Sequence, residues 1–439
     1  MGPVTVVGAG LAGSEAAWQV AQRGVPVILC EMRPERMTPA HETDFFAELV
    51  CSNSLKSMLL TSAHGVLKHE LRLLDSLILR CAGEHAVPAG QALAVDRARF
   101  AEAVTQAVSE HPLIEVRREE VTAIPEGPAI ITSGPLTSDA LAEEIARLTG
   151  VERLYFYDAL SPIVAADSID ETVAFRQSRY DKGEADYINC PFDPEQYEAF
   201  YAELMAAETT LHADYDPDEL FEGCLPIEVI AGRGIEGPRF GPMKPKGLTD
   251  PRTGGMPWAV VQLRAENREG TMWNLVGFQT SLTYPEQRRV FRMIPGLERA
   301  EFLRLGAVHR NTYINAPTQL HATWQHRGRD DLFFAGQITG VEGYVESVAS
   351  GLVAGINAAR LVLGQEPLAM PEQSVIGALA RHITTADAAG FQPMNSNFGL
   401  LPEPQSEKRL RKRERRERQG ELAIEAIERL VEGELSVKS

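Results

Sequence analysis

The sequence predicts an α/β protein, a parallel sheet with helices on both faces that is interrupted by a smaller α/β insertion. Three observations predict it. The first 31 residues alternate strand, glycine turn, helix and strand. A late strand runs into a cluster of glycines and a long apolar helix. Between roughly residues 187 and 280 the texture changes to Gly/Pro-rich loops and strand-like runs. A chain of 439 residues is long enough for two or three domains with a cleft between lobes.

The opening unit reads as a strand from Val4 to Val7, the turn Gly8-Ala9-Gly10-Leu11-Ala12-Gly13, a helix from Ser14 to Gln22, and a second strand from Val25 to Cys30. Glu31 closes that strand 18 residues after Gly13. In this setting the turn is a dinucleotide fingerprint of a Rossmann-type domain. Gly8 permits the tight turn, Gly10 lets backbone approach a pyrophosphate, Gly13 lets helix and strand close together, and the helix N-terminus attracts phosphate. Glu31 is expected to accept hydrogen bonds from ribose hydroxyls. NAD and FAD both satisfy these residues. A second match, Gly232 to Gly237, is rejected because Pro238 and the following Arg-Phe-Gly-Pro are expected to prevent a helix from starting there.

Farther along, Leu55, Met58, Leu59, Leu67, Leu71 and Leu74 predict one long amphipathic helix from about Leu55 to Leu79. The expected insertion holds an acidic helix (Glu195 to Glu208) and two strands, Trp258 to Leu263 and Met272 to Gln279. A helix from Glu286 to Met293 and a strand from Leu332 to Ala335 lead to Gly336, Gly340 and Gly343. Bare backbone here can approach an extended cofactor, which favours FAD. Gln337 stands where many flavoproteins carry Asp and can hydrogen-bond a ribityl hydroxyl without bringing charge. In the helix that follows, Gly351 and Gly355 are expected to allow close packing. The division is therefore 1–186 and 281–439 as two parts of one Rossmann-type FAD-binding domain, with 187–280 as the insertion and a basic helix near the C-terminus.

Composition narrows the function. With 43 Lys and Arg against 61 Asp and Glu, the formal charge of -18 opposes general polyanion binding, so any nucleic-acid contact must be a local basic surface. Five cysteines without a CxxC pair indicate neither a disulfide framework nor a zinc site, and no metal is expected. No signal peptide or membrane span is read, and a reducing cytoplasm suits the free thiols.

Several blocks are more specific: Cys51-Ser-Asn-Ser-Leu-Lys56, Phe221-Glu-Gly-Cys-Leu-Pro226, Arg239-Phe-Gly-Pro-Met-Lys244, Val276 to Glu286, His309 to Ile314, Gly336 to Tyr344, and Asn395-Ser-Asn-Phe-Gly-Leu400. As a set, over nearly the whole chain, they resemble the folate- and FAD-dependent tRNA (uracil-5-)-methyltransferases. That resemblance implies ribothymidine formation in the tRNA T-loop. It implies 5,10-methylenetetrahydrofolate as carbon donor, FAD as carrier and hydride source, and NADPH or NADH as reductant. It also implies Cys224 as the nucleophile at uracil C6 and Cys51 as its partner. Tyr344 is expected to stack on the isoalloxazine, and His309 to pack near the pterin or a substrate phosphate.

Read from the residues alone, either cysteine is a small hydrophobe. Ser52-Asn53-Ser54 read as caps of the long helix, and with Lys56 they are expected to favour a Cys51 thiolate. Glu222 opposes ionisation of Cys224 unless Arg233, Lys244 or Lys246 folds over it. Cys30, Cys81 and Cys190 are taken as structural. Residues 408 to 418 carry eight basic and two acidic side chains. Lys408, Arg409, Arg411 and Lys412 there, and Arg233, Arg239 and Lys244 after Cys224, are the candidate tRNA surfaces. Glu407/Arg411 and Glu414/Arg418 pairs are the alternative use of the first. The rival functions are a wobble-uridine tRNA-modifying flavoprotein, a non-catalytic FAD and RNA-binding partner, and a pyridine-nucleotide disulfide reductase. The last needs closer cysteines than Cys51 and Cys81.

Overall fold

The computed structural model describes residues 2–150, 154–181, 184–210, 225–405 and 410–435. Its first layer is a six-stranded sheet in the order Gln325–His326, Arg329–Phe334, Ala129–Ile131, Val4–Val7, Val27–Glu31, Ile114–Arg118. All pairings are parallel except that of the two outermost strands at the Gln325 edge. Val4 to Val7 lie in register with Val27 to Cys30, and Thr5 to Val7 with Ala129 to Ile131. The strand that opens the chain is therefore central. Its side chains are buried on both faces, as a parallel sheet covered by helices requires.

The Leu11–Gln22 helix packs on the Tyr344–Val362 helix at backbone contact. A Cβ on Gly351 would lie 2.2 Å from the Ala12 carbonyl oxygen, and one on Gly355 2.6 Å from that of Ala16. The close approach expected of these two glycines is real, and it locks the two ends of the chain together. Tyr344–Val362 is also long and apolar enough to cross a membrane by length and composition, but Val345 to Ala359 are all buried inside the protein.

A second six-stranded sheet runs Phe175–Arg176, Tyr187–Phe192, Ala259–Ala265, Met272–Leu275, Ile163–Ala165, Phe302–Arg304, antiparallel throughout. It has its own core around Phe192, Phe200, Leu263, Phe278 and Phe291. Its strands come from both sides of the 187–280 interval as well as from within it.

Two local expectations are overturned. No helix spans Leu55 to Leu79. Ser54–Ser57 is a strand paired with Ala92–Val95, and two helices follow, Ala63–Leu73 and Leu77–Glu84. Asp75 at φ +57 breaks the path, and Ser76 Oγ accepts from Leu79 N at 3.2 Å to start the second helix. The apolar spacing survives the break because both helices pack on the same core. Residues Glu236–Phe240 do form a short helix, with Pro238 inside its first turn, where a missing N–H costs nothing. It follows another helix, Ile227–Gly232, rather than a strand, so the second glycine match is still not a βαβ turn.

Candidate active site

Each glycine of the turn has a distinct job. Gly8 has φ +97, and a Cβ there would sit 2.8 Å from the Thr132 carbonyl oxygen. On Gly13 it would sit 1.7 Å from the Gly8 carbonyl oxygen. On Gly10 it would meet nothing within 4 Å, because Gly10 faces an open cavity at the N-terminus of the Leu11–Gln22 helix. Open space over free helix N–H groups is what a pyrophosphate requires. Glu31 lines the same cavity, nearly buried. Burial works against its charge, yet the Arg33 guanidinium at 3.0 Å and the N–H groups of Arg33 and Ala9 hold its carboxyl below the usual range. An ionised acceptor thus stands where a ribose is expected.

Of the C-terminal glycine cluster, Gly336 and Gln337 line this cavity, Gly343 lines the chamber described below, and Gly340 lines neither. Gly336, at φ +82, donates its N–H to Ser350 Oγ at 2.8 Å and lies against Ala12. A Cβ on Gly343 would fall 2.2 Å from Glu346 Oε2, and one on Gly340 2.5 Å from the Phe391 ring. Gln337 lines the cavity and donates to Glu342 Oε2 at 3.0 Å.

A second chamber adjoins the first and shares Val50, Pro135, Leu136, Gln337 and Tyr344 with it. Half-buried Cys51 lines this chamber, with Lys56, Gln279 and Asn311 around it. The Tyr344 hydroxyl accepts from Cys51 N at 2.8 Å and Ser52 N at 3.2 Å. Burial, reinforced by the neighbouring Cys51, pushes that hydroxyl far above the ordinary tyrosine range, so it keeps its proton.

No helix begins at Ser52-Asn53-Ser54, so no helix dipole stands behind Cys51. Those side chains serve another end. Asn53 Nδ2 donates to the carbonyls of Val95 and Ala265 at 2.9 and 2.8 Å, and Ser52 Oγ accepts from Arg264 at 2.7 Å. Three arginines converge here. Arg264 Nε donates to Asn53 Oδ1 at 2.8 Å, Arg304 to the carbonyls of Val50 and Cys51 at 2.8 and 3.3 Å, and Arg97 to the Leu49 carbonyl. Glu266, paired with Arg97 at 2.8 Å, is the carboxylate among them.

Cys224, Lys408 and Arg409 lie outside the described residues. The chain resumes at Leu225, and Ile227 N donates to the Gln279 carbonyl at 2.7 Å, on the wall of the Cys51 chamber. His309 is on the Val308–Tyr313 strand, which also carries Asn311. Arg233, Arg239 and Lys244 belong to the segment after the Ile227–Gly232 helix. Arg411 and Lys412 are exposed at the start of the Lys412–Leu430 helix. The Glu414/Arg418 pair does not form. Glu414 turns back to accept from Arg411 N at 2.9 Å, which satisfies a free N–H at the helix start, and Arg418 pairs with Glu421 at 2.9 Å. Cys30, Cys81 and Cys190 are buried, and burial pushes all three thiols up, the first two to about 11.

Sequence reasoning missed Ser133 and Gly134, which line the cavity at the glycine turn, and the arginines behind Cys51. The first two had a signal, since they follow a buried strand and ligands bind beyond the carboxyl ends of parallel strands. The arginines had none, because Arg97, Arg264 and Arg304 are far apart in sequence.

The parallel sheet, its glycine turn and the C-terminal glycine wall define a dinucleotide-binding flavoprotein fold. The same architecture is seen in Aquifex aeolicus GidA, with a TM-score of 0.69, 19% identity, and coverage of 98% of this chain and 78% of that one. Residues 3–366 match the family described as glucose inhibited division protein A. The chain is 60% identical over 431 residues to the methylenetetrahydrofolate--tRNA-(uracil-5-)-methyltransferase TrmFO of Pelotomaculum thermopropionicum, with 98% of each chain covered. It is 58% identical to the protein of that name from Listeria innocua, over 98% of this chain and 99% of that one. It belongs to the TrmFO family of folate-dependent tRNA (uracil-5-)-methyltransferases.

Proposed function

We propose that the chain transfers a one-carbon unit from 5,10-methylenetetrahydrofolate to uracil C5 in the T-loop of tRNA, forming 5-methyluridine in the cytoplasm. FAD is the resident cofactor, and NADPH or NADH is the reductant. The observation that carries the reading is the shared wall. Cys51 and the dinucleotide turn open onto chambers that meet at Val50, Gln337 and Tyr344. The group that removes the C5 proton and the hydride source must reach the same uracil ring, and this cleft serves both.

When bound, FAD supplies one-carbon carriage and hydride transfer. The turn at Gly8, Gly10 and Gly13 would hold its pyrophosphate and Glu31 its ribose, with Gly336 and Gln337 on the cavity wall and Gly340 and Gly343 shaping the backbone that follows them. Uracil C5 is a weak nucleophile until a group adds at C6, so a thiolate is needed first. We assign that addition to Cys224 and removal of the C5 proton to Cys51. The hydrogen bond from Ile227, three residues after Cys224, to a wall residue of the Cys51 chamber supports this pairing. Tyr344 holds the Cys51 N–H through its hydroxyl and offers its ring to the isoalloxazine, while His309 serves the pterin or a substrate phosphate. Arg233, Arg239 and Lys244, with Lys408, Arg409, Arg411 and Lys412, are the phosphate contacts.

The test is methyl transfer to unmodified tRNA by flavin-loaded protein given methylenetetrahydrofolate and NADPH, with mass spectrometry of Cys51→Ala and Cys224→Ala mixed with tRNA. Both variants are expected to lose turnover, and Cys224→Ala any covalent protein–RNA species. Wild-type protein that reduces its flavin but never methylates tRNA overturns the reading, and an adduct persisting in Cys224→Ala overturns the assignment.

A further inference from the structure

The segment from Arg233 to Trp258 carries a feature that phosphate binding does not explain. Phe240 is 68% exposed, although it sits on the ordered Glu236–Phe240 helix. Met256 and Trp258 are also exposed, at 62% and 37%. The Arg239 guanidinium stands between two of these side chains, 3.7 Å from the centre of the Trp258 ring and 5.6 Å from that of Phe240. Its Nε donates to the Trp258 carbonyl at 3.0 Å and its Nη1 to Glu236 at 2.9 Å, so the stack is held rather than free to rotate.

The backbone beneath is rigid. A Cβ on Gly237 would lie 2.4 Å from the Ile230 carbonyl oxygen, so this short helix rests directly on the Ile227–Gly232 helix. Buried Met243 donates its N–H to the Pro238 carbonyl and accepts from Val260 N, at 2.8 and 2.9 Å, which fastens the segment to the antiparallel sheet. Leaving apolar rings exposed on a fixed backbone has a cost, and water is a poor partner for them.

Charge selects among partners. Residues 233 to 258 hold five basic side chains, Arg233, Arg239, Lys244, Lys246 and Arg252, against two acidic ones, Glu236 and Asp250, in a chain of net charge -18. A positive surface interleaved with flat exposed rings matches unpaired nucleotides, which present phosphates and π-faces together. Position agrees, since the Ile227–Gly232 helix lies between this platform and Gln279 on the wall of the Cys51 chamber.

We propose that Phe240, with the Arg239–Trp258 stack beside it, is a stacking platform for an unpaired nucleotide flanking the target uridine of tRNA. The inference rests on the tRNA-methylating reading and sharpens it. Base-on-ring stacking is read without sequence preference, so the platform holds the strand while the cleft selects the base.

The test uses the full-length flavin-loaded protein. Phe240→Ala is expected to raise KM for tRNA by about fivefold or more. Flavin reduction by NADPH without tRNA is retained as the measure of folding, and Phe240→Trp restores the wild-type KM. Trp258 fluorescence is expected to fall when tRNA is titrated in, and less so in Phe240→Ala. An unchanged KM in Phe240→Ala, while wild type methylates normally, overturns the platform and leaves the catalytic reading intact. A concentration-dependent dimer of tRNA-free wild type that is absent in Phe240→Ala also overturns it, by assigning the rings to a copy of this chain. Failure of wild type to methylate tRNA defeats the catalytic reading instead.

Discussion

Glu346 is fully buried behind the Gly343–Tyr344 backbone, where Oε1 accepts from His64 Nδ1 at 3.1 Å, Ser396 Oγ at 2.6 Å and Ser396 N at 3.1 Å. Burial opposes its charge, but the His64 hydrogen bond and the nearby Lys56 outweigh it and hold the carboxyl down at about 2. A carboxyl depressed in the folded state stabilises above its unfolded value and loses that contribution as pH falls through the folded one. Wild-type protein is therefore expected to lose on the order of 3 kcal/mol from this group as pH falls from about 4.5 to about 2. Glu346→Gln should lack that component, which paired urea titrations across the range would reveal. Identical pH slopes would show that the carboxylate is not stabilised as described. This network also gives a use to Ser396 within the Asn395–Leu400 block, whose sequence stood out without indicating a role.

At the scale of elements, the two glycine walls are steric devices. Gly13→Ala would put a methyl group 1.7 Å from the Gly8 carbonyl oxygen, which the Leu11–Gln22 helix cannot relieve without leaving its strand. The expected result is a loss of about 1–3 kcal/mol and a colourless protein after purification, read by absorbance and thermal melting. Gly10→Ala, whose methyl enters open space, should melt like wild type and lose flavin selectively. If both variants retain flavin equally, the turn is not the cofactor cradle. The first βαβ unit was legible because hydrophobic period, turn glycines and Glu31 agree over 31 contiguous residues. The Leu55–Leu79 region misled for a physical reason. Leu55, Leu67, Leu71, Leu77 and Leu79 face one core from a strand and two helices while Leu59 is exposed, and a spacing rule cannot register the left-handed Asp75 between the helices.

Across the whole molecule, Cys51 is held by parts of the chain that come together only on folding. Arg97, Arg264 and Arg304 reach its segment from a helix and two strands of the antiparallel sheet, and Tyr344 reaches it from the C-terminal core helix. Arg264→Met should cost about 1–3 kcal/mol, because it leaves buried Asn53 Oδ1 without the Arg264 donor and Ser52 Oγ with Ser54 N alone. Turnover should fall well beyond that loss while flavin content is kept, since the dinucleotide cavity does not include Arg264. Turnover that tracks stability alone would show that the arginine merely supports the fold.

The sequence by itself determined the parallel-sheet class, the Gly8–Gly13 turn and the late glycine cluster, because each is marked by a contiguous run of residues, although the atoms that crowd Gly8 and Gly340 come from Thr132 and Phe391. It also singled out Cys51 through a cluster of short motifs. Only the tertiary structure decided what stands around that sulfur. The shared chamber with Tyr344, the three arginines behind the loop and the Arg239–Trp258 stack join residues tens to hundreds of positions apart, and no periodicity or propensity encodes such meetings. They arise when two separately packed sheets bury their faces and bring their connecting segments into contact.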